Sequence, residues 1–444
     1  MIDPVLLVAV ACGIIVLLGL ILYFRIQAFM SLLIASIVVG VVAGMPPLEI
    51  VDTIQKGMAS TLGFVATVVG LGAIFGAILE QSGGANALAQ FLISKFGDDK
   101  APWAMVITGF FVAIPVFFDV AFIILVPMVY ALQRKTKKSL LLFAMPLLAG
   151  LAITHAFIPP TPGPVAVADI LGADLGWVIL FGIIAGIPAA IVSGPLFSKY
   201  IAKKIVIEAP SNMSENESKG RLPSVGLILS IIAIPILLIV VGTVMKTFQS
   251  GLSENTVAVF LMLGHPFTAL TIANIVAWYT LGIKRGYTKA QLQDMSTKSL
   301  APAGIIILLT GAGGVFKQML VDTGTGEMLA IYFAESGINM LVFAFIAAGL
   351  VRVLQGSATA AMITSAGITA PLLPEYLSEP KKAMLVIVIA AGASIVSHVN
   401  DSGFWLVGNY LGLSEKQTFR SWTIMTTLIG LAGFLTIFLI QLFI

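Results

Sequence analysis

The chain alternates long apolar runs with short polar breaks, and that alternation predicts membrane-spanning helices. Runs long enough to cross a bilayer lie at residues 4–23, 28–44, 62–78, 175–197, 225–244, 266–282, 301–320, 384–397 and 422–444. Two further apolar stretches, 103–132 and 340–373, are interrupted near their middle by IPVFFD at 114–119 and QGSAT at 355–359. Two more interruptions follow, THAFIPPTPGP at 154–164 and SHVNDSG at 397–403. Broken backbone at membrane depth is tolerated only where it is buried in protein or lines a water-filled cavity. The functional expectation therefore falls on these four places.

The pattern occurs twice. Gly63, Gly70, Gly72, Phe75, Leu79, Gly83, Leu88 and Ala89 recur as Gly304, Gly311, Gly313, Phe316, Leu320, Gly324, Leu329 and Ala330, at a constant offset (311 − 70 = 241). Thr154-His155 is echoed by Ser397-His398, and Leu171-Gly172 by Leu411-Gly412. Each half supplies about five or six crossings. A long apolar chain of two related halves points to a secondary transporter with its site where the halves meet. Residues 208–220 are polar and read as a linker, which divides the chain into a first repeat (1–203), a linker (204–222) and a second repeat (223–444). The glycosylation-like Asn212-Met-Ser214 and Asn216-Glu-Ser218 have no meaning in a cytoplasmic linker.

Charge sets the orientation. Arg134, Lys135, Lys137 and Lys138, then Lys199, Lys203 and Lys204, Lys219 and Arg221, and Lys284, Arg285 and Lys289 mark cytoplasmic loops. Arg25 follows the first span, so the first half starts outside and the second inside, as inverted-topology repeats do. Both chain ends then lie outside. The stretch 103–132 fits either one tilted helix of about 45 Å or a re-entrant hairpin with its tip at the interruption. The hairpin keeps Lys95 and Lys100 on the inside face with Arg134–Lys138. The rival reading makes 62–96 the hairpin and leaves those lysines outside.

Composition agrees with the pattern. Apolar residues make up 59% of the 444 and charged residues only 10%, against about 25% charged in a soluble domain. The expected fold is an all-α polytopic membrane protein. A net charge of +3 is too small to imply nucleic acid. The single cysteine, Cys12, excludes a disulfide framework. Asp3 precedes the first span and no basic segment does, so that span reads as retained rather than as a cleaved signal. Neither an H-E-x-x-H metal motif nor a G-x-S-x-G elbow is present, so no enzyme, metal or cofactor is expected. A channel is disfavoured because no ring of charges or filter-like repeat occurs.

The candidate chemistry sits at the breaks. Pro159, Pro160, Pro162 and Pro164 remove four backbone donors, so a helix must stop near Phe157 and another can start near Val165. The new start offers free N–H groups and a partial positive charge, a natural place for a carboxylate; the alternative is a Pro-rich external loop. Asp119 and Asp401 are candidates for the substrate or proton site, or else they hold the breaks by accepting backbone N–H bonds. His155 and His398 occupy equivalent positions and suit proton exchange. Arg352 either anchors a carboxylate or snorkels to the surface. Thr161, Gly163, Ser357, Thr359, Asn400 and Ser402 offer hydroxyls, amides and close backbone approach. Glu80 and Asp322 lie near helix ends and read as caps or interface residues, with coupling as the alternative, and Asp169 also lies near an end. Lys317 reads as snorkelling and His265 as structural.

The FFDV at 117–120, the run from His155 through PPTPGP to ILGAD at 170–174, QGSAT at 355–359 and SHVNDSGFW at 397–405 resemble signatures of the gluconate permease (GntP) family. The resemblance covers essentially the whole chain. It implies proton-coupled uptake of gluconate or a related sugar acid, with D-serine as cargo for some relatives. It also implies a place in the ion transporter superfamily: paired re-entrant hairpins, a scaffold that commonly dimerises, and an elevator-like transport part in a bacterial inner membrane. On this chain the scaffold falls at about 1–60 and 223–300, and the transport part at about 103–175 and 340–415. One charge moved against an inside-negative potential costs about 2.3 kcal/mol per 100 mV, so an anion needs a co-transported proton. A sodium-coupled carboxylate transporter is the nearest rival.

Overall fold

The computed structural model describes residues 4–97, 100–210, 222–247, 253–325, 337–374, 376–399 and 401–443. Most of the expected linker (211–221) and Asn400 therefore lie outside the described residues. The described chain is helical, and eight of its helices are long and apolar enough to cross a membrane.

In the first half, α1 (Pro4–Leu22) and α2 (Ala28–Val42) form an antiparallel pair. α3 (Pro47–Gln81) opens on a proline, whose missing N–H costs nothing in a first turn, and ends before the left-handed Gly83. α4 (Gly84–Phe96) leads to α5 (Ala101–Val112), a break, and α6 (Phe118–Thr136). α7 (Leu141–Phe157) stops before Pro159, and α8 (Pro162–Leu171) restarts with Pro162 in its first turn. α9 (Leu175–Lys204) closes the half.

The second half repeats this order. α10 (Val225–Thr247), α11 (Glu254–Gly264) and α12 (Pro266–Arg285) precede α13 (Lys289–Asp322), which starts with a Thr288/Gln291 capping box. α14 (Met340–Gln355) and α15 (Ala358–Leu372) flank the second interruption. α16 (Glu379–Gly392) and α17 (Ser402–Leu411) flank the last break, and α18 (Glu415–Gln441) ends the chain.

Two faces can be assigned from contacts. Residues 205–210 define a linker face: Leu140 N–H donates to Ile207 O at 2.8 Å, and Gln133 accepts from Ala209 N–H at 3.2 Å. The end of α6 and the start of α7 therefore lie there. α5 runs parallel to α7, with Val106 beside Pro146 across Gly194 and Gly109 against Gly150, so α5 starts at the linker face too. Both ends of α5–α6 share one face, and the tip at 113–117 sits at mid-depth, because twelve residues of helix reach only about 18 Å. This is the first re-entrant hairpin.

The opposite face is marked by Asp174, whose N–H donates to Glu379 Oε2 at 3.0 Å. α8 thus continues from the mid-depth break to the far face, where α16 begins. α14 runs parallel to α16, with Gly349 on Ile395 and Gly392 on Phe345. The start of α14 and the end of α15 meet around Met340, Leu372 and Gln441, so the second hairpin enters from the opposite face and the two halves are inverted. α17 descends to the linker face, where Tyr130 reaches Tyr410. The described chain also ends on the opposite face, where Asn339 donates to Gln441 at 3.2 Å.

The hairpin reading of 62–96 is ruled out, because residues 62–81 belong to the continuous α3. α3 and α13 are 35 and 34 residues long, far more than the spans expected at 62–78 and 301–320. They lie antiparallel, with Gly57 on Val315 and Gly311 on Met58. The chain has no break near residue 60 or residue 300, where the scaffold was expected to end.

Candidate functional site

The two hairpin tips and the second break converge on one cavity of about 340 Å³. The first hairpin contributes Phe117, Phe118, Asp119 and Val120, and the second contributes Ser357, Ala358 and Thr359. Asp401, Ser402 and Gly403 line it from the second broken helix. His155 of α7, Arg352 of α14, Trp422 of α18 and Pro302 and Ile306 of α13 complete the wall. The first turns of α6, α15 and α17 all line it, so helix N-termini and their partial positive charge face the cavity from three sides; Ser357 caps α15 and Asp401 caps α17, while α6 has no side-chain cap.

Arg352 and Asp401 form an ion pair in the wall, and only 4% and 8% of these residues is exposed. The guanidinium also donates to the Gly356 carbonyl, while its Nε has no partner among the described residues. Asp401 caps α17 by accepting from Gly403 N–H at 3.0 Å, and it accepts from Ser397 Oγ as well. Ser397 Oγ in turn accepts from Trp422 Nε1–H at 2.6 Å, and Thr423 donates to Ser397 O at 2.5 Å. Trp422 lies in a π-helical turn, Phe419–Thr423. Asp119, in the first turn of α6, is exposed toward the cavity and has no hydrogen bond among the described residues.

Seven of the sequence-expected residues therefore meet in one cavity: Asp119, His155, Arg352, Ser357, Thr359, Asp401 and Ser402. Others stand apart. Thr161 donates to Ile158 O at 2.6 Å and, with His155, lines a separate cavity of about 20 Å³ beside the first tip. Gly163 packs under Met362, whose Cε would lie 2.5 Å from a Cβ there. His398 Nε2 bonds the Val353 carbonyl at 2.8 Å behind the second hairpin. Lys317 does not snorkel: it donates to Ile170 O at 2.6 Å, near the carbonyl end of α8. His265 is structural, accepting from Phe267 N–H at 3.3 Å as the cap of α12. Trp422 and Ser397 had no assigned role in the sequence. Ser397 sat inside a recognised break, but nothing local marked Trp422.

A second cavity, about 450 Å³, extends from the linker-face ends of α3 and α13, lined there by Glu80, Gln81, Gln291, Asp294 and Lys298. It reaches the first hairpin tip and shares Phe117, Val120 and Pro302 with the central cavity.

Inverted halves, paired hairpins and broken helices around a polar central cavity define a membrane transporter. The chain belongs to the GntP family of permeases, whose profile matches residues 5–443. It is 39% identical over 432 residues to the low-affinity gluconate transporter of Escherichia coli (strain K12), covering 96% of each chain. It is 38% identical over 450 residues to the gluconate permease of Bacillus subtilis (strain 168), covering 98% of this chain and 99% of that one. The Gnt-II system L-idonate transporter of Escherichia coli (strain K12) is 37% identical over 439 residues, covering 98% and 99%. Among solved structures, the Alcanivorax borkumensis YdaH transporter shares the fold, with a TM-score of 0.64 at 11% identity over 89% of this chain and 88% of that one.

Proposed function

We propose that this permease imports gluconate or a closely related sugar acid with protons across a bacterial inner membrane. The observation that carries the reading is the charge inventory of the central cavity: one cation, Arg352, and two carboxylates, Asp119 and Asp401. With all three ionised the wall is net negative (1 − 2 = −1). A sugar acid adds another negative charge, so loading is favoured when a proton enters with it. Arg352 offers the carboxylate anchor, and Ser357, Thr359 and Ser402 offer hydroxyl partners for a polyol.

The linker face is the cytoplasm by its Lys and Arg clusters, which leaves both termini outside. The vestibule of Glu80, Asp294 and Lys298 then opens inward, as in an inward-facing state. The hairpin-bearing part, about 103–175 and 340–415, moves as an elevator against the scaffold, which packs as a homodimer. The test is uptake of labelled gluconate by proteoliposomes. A pH gradient without sodium drives accumulation; accumulation driven only by a sodium gradient overturns the proton assignment, and no uptake under either overturns the substrate class.

A further inference from the structure

The two carboxylates of the cavity come from non-equivalent elements. α6 begins at Phe118 and α15 at Ala358, so Asp119 corresponds to Thr359 (359 − 119 = 240). α8 begins at Pro162 and α17 at Ser402, so Asp401 corresponds to Thr161 (401 − 161 = 240). Each half therefore supplies one acid, the first on its hairpin and the second at its broken helix.

Their surroundings differ as much as their positions. Asp401 is buried and bonded three times: Oδ1 takes the Gly403 N–H, and Oδ2 takes Arg352 and Ser397. Adding a proton there means breaking a buried ion pair and leaving Arg352 uncompensated. Asp119 has no bond to break. It faces Asp401 and Arg352 across the cavity and His155 from α7. Of the other helices in contact with α6, α4 carries Lys95, α17 carries Tyr410, and α18, whose Trp422 ring lies 5.5 Å from that of Phe118, carries Glu415, Lys416 and Arg420 in its first turns. Asp294 and Lys298 pair with each other at 2.8 Å in the vestibule beyond Phe117.

We propose that the two acids divide the work of symport: Asp119 carries the coupling proton, and Asp401 is a positioning residue that stays ionised and holds Arg352 ready for the sugar acid's carboxylate. This rests on the function proposed above. Arg352 has five N–H groups; one bonds Gly356 O, one bonds Asp401, and Nε–H lacks a partner among the described residues. An incoming carboxylate completes the set. Its negative charge then draws a proton from the outer solution onto an Asp119 oxygen, and that proton leaves with the substrate on the inner side. Only an O–H bond forms and breaks.

The experiment is gluconate binding to purified protein by titration calorimetry over a range of pH. Wild-type affinity rises as pH falls. In Asp119→Asn that slope disappears, and accumulation driven by a pH gradient is lost. In Asp401→Asn affinity falls by about tenfold or more at every pH, while the wild-type slope persists. Ser397→Ala, which leaves the ion pair in place, shows a smaller loss with the same slope and serves if Asp401→Asn does not fold. A wild-type slope in Asp119→Asn, or a flat one in either of the other variants, overturns the assignment alone. Wild-type protein that binds no gluconate at any pH overturns the function and the assignment together.

Discussion

The phenol of Tyr130 donates to the main-chain carbonyl of Tyr410 at 2.5 Å, across 280 positions of sequence. Tyr130 is near the end of the first hairpin and Tyr410 near the end of the second broken helix. The bond ties the two elements that supply Asp119 and Asp401, one from each half. Tyr130→Phe keeps the ring and deletes the bond. It should lower stability by about 1 kcal/mol, read as an earlier melting transition in detergent; an unchanged transition argues against the tie.

Gly76 of α3 seats the first hairpin tip. A Cβ there would lie 1.9 Å from the Pro115 carbonyl oxygen. Gly76→Ala must push the tip off α3, at a cost of about 1–3 kcal/mol, and uptake should collapse. Gly72, one turn earlier, is the control, since its Cβ would meet Pro160 O at an ordinary 3.7 Å. Parallel uptake assays of the two variants decide the point, and equal activity would refute it.

Asp174 is a junction at the far face. It caps α9 through Gly176 N–H at 2.9 Å, accepts from Thr243 of α10 at 2.7 Å, and lies 3.7 Å from Lys246. Asp174→Ala removes the cap and the bridge to α10 together. The expected loss is about 1–2 kcal/mol, measured by thermal denaturation.

The assignment of faces makes a labelling prediction. In a Cys12→Ser background, Lys203→Cys lies at the linker face and Tyr376→Cys near the base of the second hairpin on the other side. Tyr376 is 91% exposed. In intact cells an impermeant maleimide should label position 376 and not position 203. The reverse pattern would invert the orientation.

Much of this architecture was legible in the sequence, because proline and glycine announce where backbone bonding fails. The stop at Phe157 follows from the prolines after it, and the halves declare themselves through their spaced glycines. The full length of α3 and α13 was not legible. Polar residues such as Asp52, Lys56, Thr297 and Lys298 sit on the parts that extend past the apolar core, and they mask helical continuity. Side-chain direction was hidden as well. Thr161 and Gly163 belong to a true break, yet one turns back to Ile158 and the other accommodates Met362. The partnership of Arg352 with Asp401 depends on two segments 49 positions apart meeting in space, which no local pattern encodes.

Where α5 crosses α7, a Cβ on Gly109 would lie 2.3 Å from Leu147 O, and one on Gly150 would lie 2.2 Å from Val106 O. Main chain rests on main chain, with no deformable side chain between to absorb a shift. A displacement of α5 is thus passed directly to α7 and to the proline elbow beyond Phe157. That close seating locks the two short helices in register, so the first tip and the proline elbow share one rigid support.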